Sequence, residues 1–213
     1  MLVVMVAAET ICGRISPAVM GSGEDRALLE RLRDQSDASL MGAGTLREAD
    51  PEMRGSGGVL SQRRIRAVLS ASGRLPRAGK RLFAEGPRPL IFTGQEQAAA
   101  LAAEFADIAD VFGLPGGASG LSVQAAIAEL GRRGARSVLI EGGGGLNHAA
   151  LREGVVDEIR LTLTPFVSGD RRAASLADGA APLGHPFLPL SLLSCTQGES
   201  GELFLHYSVR KRS

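Results

Sequence analysis

The chain has 213 residues, of which 44% are hydrophobic and 22% are charged, a composition expected of one globular domain. With 24 basic and 23 acidic residues the net charge is +1, which excludes a strong long-range attraction for nucleic acid or anionic membranes. The two cysteines are too few for a disulfide framework, and no stretch is typical of a membrane span or signal peptide, so we expect a cytoplasmic protein. The 28 glycines are roughly twice the usual share and predict special turns or a backbone that approaches a ligand.

Short apolar runs alternate with helix-like segments, which predicts an α/β fold with a mostly parallel sheet. Ser22 and Ser122 are predicted to begin helices, residues 96–105 form an alanine-rich helix, and a short helix follows Gly145. Residues 55–58 are interpreted as a mobile surface loop. The last two strands should form an antiparallel hairpin. The predicted strands are 2–7, 38–42, 65–70, 90–93, 109–113, 137–141, 158–165, 190–196 and 202–209.

The strand 137–141 runs into four glycines, Gly142 to Gly145, and then into a helix. The first N–H groups of a helix lack internal partners and carry partial positive charge, and glycine lets a phosphate approach them. Glu141 lies at the carboxyl end of its strand, where open α/β sheets bind ligands. We therefore predict an anion-binding loop here, with a plain strand–helix turn as the alternative.

A second strand, 38–42, meets glycines at Gly42 and Gly44, followed by Thr45. A G-x-G pair alone is a weak signal, and Arg47 stands where the dinucleotide fingerprint has its third glycine. An ordinary Rossmann dehydrogenase is therefore not supported. Spacing alone favours neither of two roles for Thr45: a hydrogen bond to a phosphate or an amide, or a loop hydroxyl that binds no ligand.

Two further sets of polar residues carry weaker signals. Arg26, Glu30 and Arg33 share one stripe of the first helix, and from the residues alone a solvated face is favoured. The three histidines have no ligand spacing, so we expect no metal site; they are His148, His185 and His206.

Three segments together resemble the reductase domain of riboflavin biosynthesis, the RibD C-terminal domain, which has the dihydrofolate-reductase-like fold. Residues 37–51, DASLMGAGTLREADP, resemble the family's D-A-x-x-x-G-x-x-T-x-x-x-D-P block. Residues 140–143 (IEGG) and 154–159 (GVVDEI) resemble its E-G-G and G-L-V-D-E-L blocks, and 163–169 (LTPFVSG) is similar to its A-P-x-x-x-G end. The resemblance covers nearly the whole chain. It implies one reductase domain, 1–213, with three αβα layers, a mixed, mostly parallel sheet and a C-terminal antiparallel hairpin.

The family implies that NADPH gives hydride to the ribosyl C1′ of a phosphoribosylamino-pyrimidine, as in 5-amino-6-(5-phosphoribosylamino)uracil reductase. By this resemblance, Glu141 is the candidate catalytic residue and contacts the substrate, and Arg33 holds the substrate phosphate with its bidentate fork. A homodimer formed through sheet-edge or hairpin contacts is also implied. The implied cofactor-binding residues are Gly42, Gly44, Thr45, Asp50, Ser70, Gly143, Gly144, Gly145, Leu146 and Asn147.

The sequence departs from the family pattern in the half that binds substrate. In residues 10–15 (TICGRI) Cys12, a candidate substrate-binding residue, replaces the acid of S-x-D-G-[KR]-I, and Ala49 replaces the first of two acids before a proline. A thiol of ordinary pKa is mostly neutral at pH 7 and a poor acceptor. Two alternatives therefore stay open. One is a reductase of the same fold for another pterin-like, pyrimidine or carbonyl substrate, and the other is a nucleotide-binding homologue without catalysis.

Overall fold

Apolar runs that need cover on both faces form the middle of one large sheet. The computed structural model describes residues 1–15, 21–117, 120–184 and 187–210, and in those ranges nine strands form this sheet. The second strand is buried at every position, as expected of a strand covered by helices on both faces. The strands are β1 (Leu2–Thr10), β2 (Ala38–Gly42), β3 (Ile65–Ser70), β4 (Leu90–Gly94), β5 (Asp110–Leu114), the short separate pair β6 (Gly116–Gly117) and β7 (Gly120–Leu121), β8 (Ser137–Ile140), β9 (Glu158–Thr164), β10 (Leu190–Gln197) and β11 (Leu203–Val209).

The strand order places three strand ends side by side. Across the sheet the order is β10-β11-β9-β1-β8-β2-β3-β4-β5. Strand β8 runs parallel to both β1 and β2, so the carboxyl ends of these three strands share one edge of the sheet. Strand β11 is antiparallel to β9 and to β10. The predicted mixed, mostly parallel sheet with an antiparallel C-terminal hairpin is confirmed, with small shifts at the strand ends.

The serine caps fix where two of the longer helices begin. Ser22 Oγ accepts from the N–H groups of Glu24 at 3.1 Å and Asp25 at 3.3 Å, and Ser122 caps its helix in the same way. The buried carboxylate of Glu202 accepts from the Ser22 N–H at 2.9 Å, so the C-terminal hairpin completes the first cap. The helices are α1 (Gly23–Asp34), α2 (Ala43–Ala49), α3 (Arg81–Ala84), α4 (Gln95–Glu104), α5 (Val123–Arg132) and α6 (Gly144–Arg152).

Different helices cover the two faces of the sheet, which gives three layers. Helices α5 and α6 bury Ile127, Leu130 and Ala150 in the largest core cluster with the central strands. Helix α1 packs Leu32 against Leu139 on the other face. The three-layer expectation therefore agrees with the structure. In the ranges that the structure describes, none of the helices has the length and apolar character needed to cross a membrane.

The structure adds helices where the sequence pattern predicts loops. Residues 55–58 include a 3₁₀ helix, Ser56–Gly58, and the Ser56 N–H donates to Asp34 Oδ2 at 3.0 Å, which ties this loop to the end of α1. Helices α2 and α3 are both short and follow no clear apolar period. His185 lies outside the described residues.

Candidate functional site

A cavity of about 500 Å³ opens at the shared carboxyl ends of β1, β2 and β8. Its wall includes Ala7 and Ala8 of β1, the start of α2, and the loop that leads from Glu141 into α6. Concave sites of this size at the carboxyl edge of an α/β sheet commonly hold small molecules or cofactors. The cavity therefore lies at the edge of the sheet that the sequence predicts for the ligand.

The glycine segment after β8 places the first N–H groups of α6 at this cavity. Gly142 and Gly143 have φ angles of 93° and 100°, in the left-handed region that favours glycine. The N–H of Asn147 donates to the Gly143 carbonyl at 2.9 Å, which leaves the N–H groups of residues 144–146 without an acceptor inside α6. All three of these residues line the cavity. The start of α6 can therefore bind an anion in the cavity.

Gly144 and Gly145, the first two residues of α6, have different surroundings. A Cβ added to Gly145 meets no atom within 4 Å. A Cβ added to Gly144 lies 2.8 Å from Asp178 Oδ2 and 2.8 Å from the Ser175 carbonyl oxygen. Gly144 is therefore required by packing inside the protein, whereas the space beside Gly145 is open to a ligand.

The turn between β2 and α2 forms the opposite part of the wall. Gly42 is the N-cap of α2, and its N–H donates to the Gly142 carbonyl at 3.3 Å. Gly44 and Thr45 line the cavity, and Thr45 Oγ1 lies 3.3 Å from the position of a Cβ on Gly143. The two strand–helix turns predicted as separate signals therefore form one site.

Arg33 and Glu141, 108 positions apart in sequence, form an ion pair beside the cavity. The Arg33 Nε lies 3.1 Å from both Glu141 oxygens, Nη2 lies 2.6 Å from Oε2, and Nη1 donates to the Arg54 carbonyl at 2.9 Å. Each of the two side chains is 6% exposed. Glu141 is part of the cavity wall and Arg33 is not. The contact of Arg33 with a substrate phosphate stays a prediction, because in this structure its guanidinium is occupied by Glu141 and Arg54.

The charge state of Glu141 follows from two opposed effects. Burial is the largest single effect and raises the pKa of this carboxyl, but the charge and hydrogen bonds of Arg33, together with smaller contributions from Ser39 and Arg64, hold the pKa below its ordinary value. Glu141 is therefore ionised at neutral pH. An ionised carboxylate accepts hydrogen bonds or protons, so this geometry favours an orienting role for Glu141 over that of a proton donor.

Three of the predicted cofactor-binding residues face other parts of the chain. Asp50 Oδ1 accepts from the Arg81 N–H at 3.1 Å and joins the end of α2 to α3. Ser70 is 1% exposed, and Asn147 Nδ2 donates to the Leu176 carbonyl at 2.8 Å. None of the three is part of the wall of the cavity as the described residues define it. Their direct contact with a cofactor stays a prediction, while the other seven predicted cofactor-binding residues line the cavity.

Cys12 lies exposed in the turn after β1, outside the described wall of the cavity. Its Sγ lies 3.3 Å from Thr10 Oγ1. Hydrogen bonds from the Thr10 hydroxyl, and then from the backbone at Gly169 and Ser168, lower the pKa of the Cys12 thiol to about 7. The expectation of an ordinary, mostly neutral thiol is therefore wrong, because a thiol with this pKa is substantially ionised at neutral pH.

The cavity also contains residues that the sequence analysis does not identify. Glu48 contributes a carboxylate to the wall, and its spacing of three from Thr45 on α2 is the signal that could have found it. Ile15, Ala71 and Ala174 carry no such signal, since they are small or apolar side chains in loops. Within the described ranges, no group of three or more His, Cys, Asp or Glu side chains is arranged to hold a metal ion.

Comparisons with known proteins identify the family. The profile of the RibD C-terminal domain matches residues 3–204. A 2,5-diamino-6-ribosylamino-4(3H)-pyrimidinone 5′-phosphate reductase from Archaeoglobus fulgidus is 28% identical over 165 residues, which cover 73% of this chain and 74% of the relative. The reductase of the same name from Methanothermobacter thermautotrophicus is 28% identical over 183 residues, 83% of each chain. The crystal structure of a pyrimidine reductase-like protein from Corynebacterium diphtheriae has a TM-score of 0.79 and 23% identity, covering 99% of this chain and 92% of that one. The expected dihydrofolate-reductase-like fold and reductase class are therefore confirmed, and the chain belongs to the RibD C-terminal domain family.

Proposed function

We propose that this protein is an NADPH-dependent reductase that acts on a phosphoribosylamino-pyrimidine of riboflavin biosynthesis, with residues 1–213 as one reductase domain. The observation that carries the proposal is the cavity formed by two strand–helix turns, in which the glycine segment 142–145 presents free N–H groups. The names of the two archaeal relatives favour the 2,5-diamino-pyrimidinone 5′-phosphate as substrate. The corresponding aminouracil is the second candidate.

The residues around the cavity fit a nicotinamide dinucleotide. The N–H groups of residues 144–146 supply hydrogen-bond donors at the positive end of α6, where a pyrophosphate is stabilised. The open space beside Gly145 leaves room for that group to approach the backbone. When bound, the cofactor supplies the hydride, and the protein supplies position and electrostatic support.

A cluster of basic side chains beside α2 supports NADPH over NADH. One guanidinium nitrogen of Arg47, Nη2, lies 4.0 Å from the position of a Cβ on Gly44, which lines the cavity. Arg47 Nη1 donates to the Arg74 carbonyl at 3.3 Å, and Lys80 Nζ donates to the Arg47 carbonyl at 3.0 Å. Arginine beside a dinucleotide site commonly accommodates the additional 2′-phosphate of NADP. We assign that role to Arg47, with Arg74 as its neighbour.

The buried pair of Arg33 and Glu141 positions the loop that carries the free N–H groups. Glu141 immediately precedes Gly142, and Arg33 holds its carboxylate from the last turn of α1. Helix α1 thereby restrains the start of the glycine segment. Because Glu141 is already ionised, we assign delivery of the proton that accompanies hydride transfer to water, and an orienting role to Glu141.

We also propose a homodimer and a cytoplasmic location. Support for the dimer comes from large apolar side chains on and near β10, at the edge of the sheet, with Phe187 81% exposed and Leu192 55% exposed. Exposed apolar edge strands commonly mark contacts between chains. Sedimentation of the wild type as a dimer and of Leu192→Lys as a monomer would support the interface; a wild-type monomer would refute it.

Steady-state oxidation of NADPH tests the proposed function directly. The purified protein is assayed with the diaminopyrimidinone phosphate, with the aminouracil phosphate and with dihydrofolate. We expect turnover of one of the two phosphoribosylamino-pyrimidines to its ribitylamino product and none of dihydrofolate. NADPH binding without turnover of either pyrimidine would contradict the proposal.

A further inference from the structure

A second cavity, of about 350 Å³, lies between α1 and the C-terminal hairpin of β10 and β11. Among the described residues, its wall shares none with the first cavity, so this second cavity is independent of the proposed reductase activity. Most of its polar side chains are cationic or hydrogen-bond donors, with one acid among them. These side chains are Glu24, Arg31, Arg160, Ser194, Thr196, Gln197 and His206.

Strand pairing places three of these polar groups in a row. Arg160 of β9 lies opposite His206 of β11, and His206 lies opposite Ser194 of β10. Directly opposed residues in antiparallel strands point to the same face of the sheet. The row therefore faces α1, from which Arg31 joins the wall.

Within the described part of the chain, the two arginines of this cavity, Arg31 and Arg160, have no acidic partner within 4.0 Å. The Nε of Arg160 is also buried, and it has no hydrogen-bond partner in the described part of the chain. A buried guanidinium nitrogen without a partner is costly, and a bound anion would satisfy it.

The acids near the cavity are engaged elsewhere. Glu158 lies 2.8 Å from His206 Nε2. The Oε2 of Glu24 accepts from the Glu199 N–H at 2.8 Å and so is directed to the turn of the hairpin. Two arginines thus line the cavity against one glutamate whose carboxylate is already hydrogen-bonded.

We propose that this cavity binds a small molecule carrying a phosphate group. The planar guanidinium fork matches phosphate oxygens in a bidentate way, and the hydroxyls of Ser194 and Thr196 supply further donors on the hairpin side. The volume suits a small metabolite. The phosphate lies between Arg31 on the helix and Arg160 on the sheet.

The hairpin favours a small ligand here over a docked protein. Leu190, Leu192 and Leu193 are exposed apolar residues of β10, and the first two pair with Val209 and Tyr207. Those partners pack toward the main core, on the face opposite to His206, because side chains alternate along β11. The apolar surface that Leu190 and Leu192 form, which suits a protein partner, is therefore on the other face of the hairpin.

Calorimetric titration of the full-length protein with inorganic phosphate and with pyrophosphate, at constant ionic strength, tests the proposal. We expect saturable binding that weakens roughly tenfold or more in Arg160→Gln and in Arg31→Gln, since each loses a charge-assisted contact. Arg63→Gln, which removes an exposed arginine elsewhere, should leave the affinity unchanged. Because the start of α6 is itself proposed to bind a pyrophosphate, each titration is repeated in a Gly145→Val background, where we expect saturable binding that still depends on Arg31 and Arg160.

Arg31 is exposed on α1, so its variant keeps the test valid even if Arg160→Gln fails to fold. Absence of saturable phosphate binding would overturn the proposal. So would equal affinity in wild type and a folded Arg31→Gln, or loss of binding in Gly145→Val. A change of oligomeric state in Arg31→Gln without any phosphate binding would indicate a protein partner and would also overturn it.

Discussion

Replacing Gly145 with valine tests how the start of α6 holds an anion. A side chain here meets no protein atom within 4 Å at its Cβ, and valine is a better helix former than glycine, so the fold should be retained. The added methyl groups occupy the space through which a phosphate approaches the N–H groups of residues 144–146. Loss of one charge-assisted hydrogen bond costs about 2 kcal/mol, which corresponds to roughly thirtyfold weaker NADPH binding.

Two other glycines provide the matched comparisons. Gly23→Val makes the same change in the first turn of α1, where a Cβ also meets nothing within 4 Å, and should bind NADPH like the wild type. Gly144→Val should instead lose stability, because its Cβ lies 2.8 Å from both Asp178 Oδ2 and the Ser175 carbonyl oxygen. Cofactor titration by fluorescence, with thermal unfolding of each variant, separates the two effects. A folded Gly145→Val protein with wild-type affinity for NADPH would refute the assignment of this loop.

Three further changes address the ion pair, the thiol and the basic cluster. Glu141→Gln leaves the buried charge of Arg33 uncompensated and should lower the free energy of unfolding by about 3 kcal/mol in denaturant titrations near pH 7. Because the folded pKa of Glu141 is depressed, the wild-type advantage is present above the unfolded pKa of about 4.3 and shrinks as the pH falls through the folded value. The rate of Cys12 alkylation should rise with pH around a midpoint of about 7, and Thr10→Val should move that midpoint upward. Arg47→Ser should raise the Kd for NADPH roughly tenfold and leave that for NADH nearly unchanged.

For each of these three variants, one result would contradict the expected effect. Equal stability of wild type and Glu141→Gln at neutral pH would show that the ion pair does not hold α1 to the glycine segment. An alkylation midpoint that is the same in wild type and Thr10→Val would remove the hydroxyl as a cause of the lowered pKa of Cys12. Equal loss of NADPH and NADH binding in Arg47→Ser would mean that Arg47 contacts a group that both cofactors have, and not the 2′-phosphate.

Local pattern is sufficient for most of the strands and for the place of the site. Strands β2 and β3 match their predicted bounds, because strands buried on both faces are mainly hydrophobic segments between polar ends; Arg66 is the one charged residue within β3. The glycine segment 142–145 is recognisable because four consecutive glycines lose much conformational entropy on folding, which a turn that binds no ligand does not require. Helix α2 is missed because Gly42 and Gly44 are poor helix formers and its seven residues are too few to show a period.

The contacts that decide side-chain roles are not local in sequence. The pairing of Arg33 with Glu141 spans 108 positions and depends on how α1 packs across the sheet. The lowered pKa of Cys12 depends partly on the backbone at Ser168 and Gly169, which a spacing argument cannot place beside it. Asn147 lies two positions after the last of these glycines, yet its amide turns toward Leu176 because the helix rotates it away from the cavity.

A structure of the protein in complex with NADPH would show directly whether the start of α6 binds the cofactor phosphates. We expect pyrophosphate oxygens within roughly 3 Å of the N–H groups of residues 144–146, with the nicotinamide inside the cavity at the ends of β1, β2 and β8. We also expect the 2′-phosphate beside Arg47. A cofactor bound elsewhere, or one in this cavity whose phosphates do not touch the start of α6, would contradict the proposed binding mode.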